Sequence, residues 1–191
     1  MPLSLLVGTV ALSLLGTTAD STRAVAPASR TPANTTRMSS DSGSRRTSPD
    51  SVADSIVVEK AHHRLSLYRH GALLRSYLVA LGQQPVGDKV KVGDMRTPEG
   101  IFRIEARNPE SRYHRSLRIS YPDATHRAKA RQLGVSPGGD IMIHGLPDRQ
   151  AWVGAAHRDF DWTEGCIAVT NEEIDEIWRG VPIGTPIEIK P

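Results

Sequence analysis

The chain contains one cysteine, Cys166, and its surroundings suit a thiol that reacts. A short apolar run, Ile141 to Ile143, has the length and branching of a buried strand and delivers His144 and Gly145 at its end. After a polar loop, Thr163-Glu164-Gly165-Cys166 leads into a second apolar run, Ile167 to Val169. Two strand ends thus offer an imidazole and a thiol. Only the thiolate attacks, and a thiol with a reference pKa of about 8.5 needs a base beside it near neutral pH. His144 is that candidate base, oriented by the carbonyl of Gly145 or a neighbour. Gly165 allows close approach of a substrate backbone, and the N–H groups around Gly165 and Cys166 are candidates to hold an oxyanion.

Two other readings of these residues stand beside the first. A lone cysteine often only packs, and a zinc site built from His144, His157, Cys166 and Asp159 or Asp161 is conceivable. The ligand spacing matches no compact zinc pattern, so the reading carries no metal and no cofactor.

The motif is wider than the pair. His144-Gly145, a loop, then Thr163-x-Gly165-Cys166-Ile167 resembles the signature of the L,D-transpeptidase (YkuD) family, and Gly93-Asp94 with Thr97-Pro98-Glu99-Gly100 resembles its Thr-Pro-x-Gly segment. Ser136-Pro137-Gly138-Gly139 leads into the histidine strand as in a subgroup, so the resemblance covers about Ser55 to Pro191. It implies a β-sandwich with a few short helices, Cys166 as nucleophile, His144 as its base, and a peptidoglycan stem peptide as acyl donor. Glu164 and Ala168 stand where many members have a histidine and an Arg or Asn. Trp162-Thr-Glu-Gly-Cys-Ile-Ala-Val is similar to a subgroup in which the outcome of acyl transfer varies. Transpeptidation, with an amine or an envelope protein as acceptor, and hydrolysis both stay open, as does a domain that binds the envelope without turnover.

Further contacts follow from position. Thr163 and Trp162, beside the cysteine, and Tyr113 and Arg115 are candidate substrate contacts. Trp152, Phe160 and Trp162 either pack the loop or wall a cleft. Tyr113, Arg115 and Arg118 are either a strand face or contacts for stem-peptide carboxylates, a task that arginine's fork suits. His62, His63, His70, His114 and His126 read as solvated surface groups.

The elements that must hold this site are mostly strands. Ser55–Glu59, Arg64–Arg69, Leu73–Leu81, Ile101–Ala106 and Pro186–Ile189 alternate or run apolar between turn residues such as His70-Gly71, which gives a mainly β domain, a sandwich or irregular barrel. Asp123 caps a helix through Leu133, and Thr170-x-x-Glu173 is a capping box for Glu172–Arg179. Ile174, Ile177 and Trp178 form the apolar face of this second helix, expected behind Cys166.

The chain of 191 residues suits a single folded domain, at 51–191. Pro2 to Gly16 is apolar and Ala24-Val25-Ala26 fits a cleavage site, so 1–26 is expected to be a signal peptide and the protein exported to the periplasm or cell envelope. The apolar run is short for a membrane span, so none is expected after cleavage. Residues 27–50, rich in Ser, Thr, Arg and Pro, read as a disordered linker. Arg30, Arg37, Arg45 and Arg46 against Asp41 and Asp50 put much of the net charge of +3 there. No basic face for nucleic acid is left in the rest. One cysteine excludes an intramolecular disulfide.

Overall fold

The computed structural model describes residues 52–191, and the expected signal peptide and linker lie outside the described residues. The strands β1 (Ser55–Glu59), β2 (Arg64–Arg69) and β3 (Ala72–Leu78) form an antiparallel meander. Ile56 and Val58 of β1 point inward and their neighbours outward. His70 and Gly71, both at positive φ (48° and 78°), make the two-residue turn into β3, a geometry whose twist matches that of the strands. The expected strand Leu73–Leu81 is shorter than read. Val79, Ala80 and Leu81 are buried in succession, so the chain has left the alternating edge and turned into the interior.

One long strand, β4 (Gly100–Ser111), joins the two halves of the fold. Its first residues, Gly100–Arg103, pair with β8 (Pro186–Lys190), which runs parallel to β1. From Ile104 onward it pairs instead with β5 (His114–Ile119), and β5 pairs with β6 (Met142–His144), which lies parallel to β7 (Ile167–Ala168). The order is β3-β2-β1-β8-β4-β5-β6-β7. The ends meet: Ala80 and Ala168 exchange hydrogen bonds of 3.0 and 2.9 Å, so the sheet curls around one core. Leu65, Phe102, Ile104, Leu117, Ile143, Ile167 and Ile187 fill that core from both halves. Each contributes about 1.5–3 kcal/mol by burial. The result is mainly β, with the sandwich character that the resemblance implies.

Both expected helices form. Asp123 caps α1 (Ala124–Gln132) by accepting the N–H of His126 at 2.8 Å. In α2 (Asn171–Gly180) the capping box is complete, with Thr170 N–H donating to Glu173 Oε2 at 2.9 Å and Glu173 N–H to Thr170 Oγ1 at 3.3 Å. Expected behind Cys166, α2 packs instead on β5 and β6, with Ile174 and Ile177 fully buried. It therefore supports the strand that carries His144. His126, read from sequence as a surface group, is buried. Helix α1 lacks an apolar stripe and docks through this ring, whose Nδ1 and Nε2 lie 2.6 Å from Asp123 Oδ1 and 3.2 Å from Asp88 Oδ1. No helix among the described residues is long and apolar enough to cross a membrane.

Candidate active site

The parallel pair β6 and β7 sets the geometry, with Ile143 level with Ile167 and His144 level with Ala168. The two isoleucines point into the core, so alternation turns His144 to the opposite face. Cys166 enters β7 one residue earlier and shares that face with Ala168. Both functional groups line one cleft of about 540 Å³.

His144 is held on three sides. Its Nδ1 lies 2.7 Å from the carbonyl oxygen of Gly145. A carbonyl only accepts, so Nδ1 carries the proton and Nε2 the lone pair. The ring of Tyr113 stands 4.4 Å from the imidazole, centroid to centroid, and Trp162 meets it edge-on at 5.8 Å. Burial pushes the imidazole pKa down to about 4; the Gly145 carbonyl opposes this in part, and the charges of His157 and Arg112 add to it. The base is therefore neutral at physiological pH and able to take a proton.

The thiol is pushed up from its ordinary value, first by burial and then by Asp140 and Glu164. A backbone N–H of Met142 and the charge of Lys89 pull the other way. The resting pair is thus a neutral thiol and a neutral imidazole. The thiol makes one long contact, 3.6 Å to the carbonyl oxygen of Asp140.

The turn that presents the cysteine is stapled by Thr163, whose buried hydroxyl accepts the N–H of Gly165 at 3.1 Å and donates to the carbonyl of Cys166 at 2.8 Å. Gly165 sits at φ +130°, and a Cβ there would lie 2.4 Å from the oxygen of Arg96. No side chain fits. Since its N–H is already taken by Thr163, Gly165 orients the turn. Gly145 is constrained in the same manner, for a Cβ would lie 2.6 Å from Asn171 Oδ1 at the start of α2.

Of the sequence-assigned contacts, Trp162, Thr163 and Tyr113 line the cleft and Arg115 does not. Arg115 pairs with Asp175 of α2 at 3.3 Å and lies over Trp178, so it fastens the helix to the sheet. Arg118 pairs with Glu105 at 2.9 Å and lines a smaller adjoining cavity with Asn108 and Met142. Trp152 and Phe160, 85% and 66% exposed, are outside the cleft lining. His157 is buried, and Trp162 Nε1–H points to its Nδ1 at 3.4 Å. Asp161 faces His63 at 2.9 Å, and among the described residues no cluster of His, Cys, Asp and Glu is gathered as a metal requires. Sequence reasoning missed Lys89, Arg112 and Asp140, which also line the cleft. Lys89 is the least expected, buried in what reads as a polar loop. Its one sequence signal is Asp94, which pairs with it at 2.8 Å.

Comparison with known proteins adds relatives to this geometry. Residues 53–189 match the family model described as the L,D-transpeptidase catalytic domain. The Escherichia coli K12 protein YafK, whose name assigns it provisionally to the L,D-transpeptidases, is 31% identical over 133 residues, which is 66% of this chain and 46% of YafK. The chain thus spans about half the length of the curated relatives it matches. Among solved structures, the helical cell shape determining protein Pgp2 of Campylobacter jejuni superposes with a TM-score of 0.55 at 24% identity, covering 71% of this chain and 47% of Pgp2. Bd1075 of Bdellovibrio bacteriovorus gives 0.50 at 22%, covering 75% and 50%. At these identities the likeness is one of fold.

Proposed function

The chain belongs to the YkuD family of L,D-transpeptidase catalytic domains, and on that premise we propose that it is an exported cysteine acyltransferase acting on peptidoglycan stem peptides. The observation that carries this reading is the shared cleft, in which a neutral imidazole of fixed tautomer and a thiol project from the same face of two adjacent parallel strands.

In the proposed reaction His144 Nε2 takes the proton of Cys166 as Sγ attacks the carbonyl carbon of the bond between an L-centre and the following D-residue. The tetrahedral intermediate collapses to a thioester. The leaving amine departs with the proton that His144 returns to it. An amine of a second stem or of an envelope protein then attacks the thioester to give a new amide, or water attacks to give a free acid. In either case His144 deprotonates the acceptor and the thiol is regenerated. Aromatic walls at Tyr113 and Trp162 exclude water from the imidazole and keep it in line.

The test is incubation of the protein with purified muropeptides, followed by mass analysis. New cross-linked species or loss of a terminal residue is expected. Unchanged muropeptides, together with no covalent adduct on Cys166 after exposure to a carbapenem, would favour a domain that binds the envelope without turnover.

A further inference from the structure

We propose that His126 is a positioning residue for acyl transfer: by joining Asp88 to Asp123 it fixes the relative placement of two chain segments that wall the cleft. The inference rests on the acyl-transfer reading of Cys166. His126 is not among the cleft-lining residues, so any effect it has on substrate is exerted through those segments.

The first segment, residues 83–99, brings Lys89, Val92 and Gly93 to the cleft. It also backs the turn of the nucleophile. The carbonyl oxygen of Arg96 approaches Gly165 so closely that a Cβ there would lie 2.4 Å from it, and Thr97 Oγ1 accepts the N–H of Gly82 at 3.0 Å. The second segment follows α1 and runs into β6, bringing Gly138, Gly139 and Asp140 to the same cleft. Its Asp140 carbonyl is the group 3.6 Å from the thiol. The two segments meet at the surface, where the N–H of Val92, a residue 62% exposed, donates to the carbonyl of Ser136 at 2.9 Å.

Beneath that meeting point the imidazole of His126 forms a buried bridge. Its Nδ1 lies 2.6 Å from Asp123 Oδ1, on α1, and its Nε2 lies 3.2 Å from Asp88 Oδ1, on the first segment. A carboxylate only accepts, so the bridge is complete when each ring nitrogen carries a proton. Each carboxylate is itself pinned to backbone: Asp88 Oδ1 accepts the N–H of Glu99 at 3.0 Å, and Asp123 Oδ1 that of His126 at 2.8 Å. A shift of the ring is therefore passed to both chains. The other charge at the bridge is Lys129, on α1, whose Nζ lies 3.7 Å from Asp88 Oδ2 and whose side chain is half-exposed, so water screens it. The ring also packs against Phe102 and Tyr121, with centroids 5.6 and 5.0 Å away. A phenyl group would fill that space, and a buried polar bridge is weak evidence for stability. What the two nitrogens add is direction, since they fix where the first segment stands against α1.

The experiment measures KM and kcat on one muropeptide with the whole protein, counting competent sites by mass as carbapenem adduct on Cys166. His126→Phe keeps an aromatic ring and removes both nitrogens; it should raise KM about 5- to 30-fold, the size of one net hydrogen bond. Its kcat per counted site should stay within about twofold of the parent. His126→Gln, which keeps an N–H donor, should recover part of the loss. A purely structural role would lower the number of competent sites and leave their KM unchanged, and that result overturns the inference. Equal KM values for the two variants would assign the effect to ring packing and overturn it as well. Asp88→Ala approaches the bridge from the other end, and should raise KM alike; combined with His126→Phe it should add less than about twofold, because both remove one link. Effects that multiply overturn the inference. Should circular dichroism show His126→Phe unfolded, a parent-like KM in Asp88→Ala overturns it. An unmodified protein that neither turns over muropeptide nor forms the adduct overturns the acyl-transfer reading and takes this inference with it.

Discussion

The imidazole of His144 donates through Nδ1 to the carbonyl of its own neighbour, Gly145, at 2.7 Å. A backbone acceptor one residue away replaces the carboxylate that orients the base in many hydrolases. It supplies orientation without a counter-charge, so it offsets only part of the cost of charging a buried imidazole. Burial therefore prevails and the pKa of His144 stays low.

The pH dependence of activity carries the sign of this shift. A neutral base is competent above its pKa, so kcat/KM should fall with acid only toward pH 4 and not at the ordinary imidazole value of about 6.5. Stability shifts in the same direction. Between the unfolded value and about 4 the unfolded chain binds the extra proton, so stability is full above the unfolded value and declines as pH falls through this window. A pH–rate profile with circular dichroism at each point tests both, and an acid limb centred at 6.5 or higher would show that His144 is not the buried neutral base.

Cys166→Ala and Cys166→Ser should abolish acyl transfer with the fold intact. The thiol's contact with Asp140 is long, at 3.6 Å, and a serine hydroxyl lacks the acidity that one histidine exploits. Retention of more than about a tenth of the activity in both variants rules out the nucleophile assignment.

How much of this was legible in the sequence depends on which interactions are local. That Cys166 and His144 would come to one cleft was readable because two short apolar runs, Ile141–Ile143 and Ile167–Val169, announce buried strands and place one reactive group beside each. The capping box at Thr170 and Glu173 was readable for the same reason, as both halves lie within one turn. Arg115 was not. The β4–β5 pairing slips between Asn108 and Ser111, and Arg112 and Tyr113 form the hairpin tip at the cleft. Counting alternation through an irregular turn assigns faces wrongly. His126 and Lys89 were missed because their partners, Asp88 and Asp94, lie in a loop whose path only the closed sheet fixes.

That loop makes a stability prediction. Asp94→Asn removes the charge that opposes a lysine only 3% exposed. Breaking a buried pair on one side typically costs about 3–5 kcal/mol. Denaturant unfolding should show a loss of that order, and a change under about 1 kcal/mol would mean that the ammonium finds water in the cleft.

Thr163 should matter through the turn it staples. Thr163→Val replaces the hydroxyl that joins Gly165 N–H to the Cys166 carbonyl, leaving both groups unmatched at about 1–3 kcal/mol each. Activity should fall with kcat more than KM. Thr163→Ser, which keeps the oxygen, should recover most of it; equal damage from the two would assign the effect to packing of the methyl group instead.

The strongest comparison sets His144→Gln against His157→Gln. Both histidines are buried, and so burial alone does not separate them. Their partners do. His144 ends a strand fixed by pairing with β5 and β7 and opens onto the cleft, whereas His157 lies in the second part of the kinked 3-10 segment Asp148–Asp159 beside Trp162, and is not among the cleft-lining residues. His157 meets the site through the indole, which in turn meets the His144 ring, and through its charge, which disfavours protonation of His144. Loss of a general base costs about 10² to 10⁴ in rate, while a loosened wall should cost roughly tenfold or less on that scale. Glutamine keeps an acceptor for the Trp162 N–H, so His157→Gln should leave kcat nearer the parent value than its KM. Values of kcat/KM for the two variants on one muropeptide decide the matter, and an equal or larger loss for His157 would reassign the base.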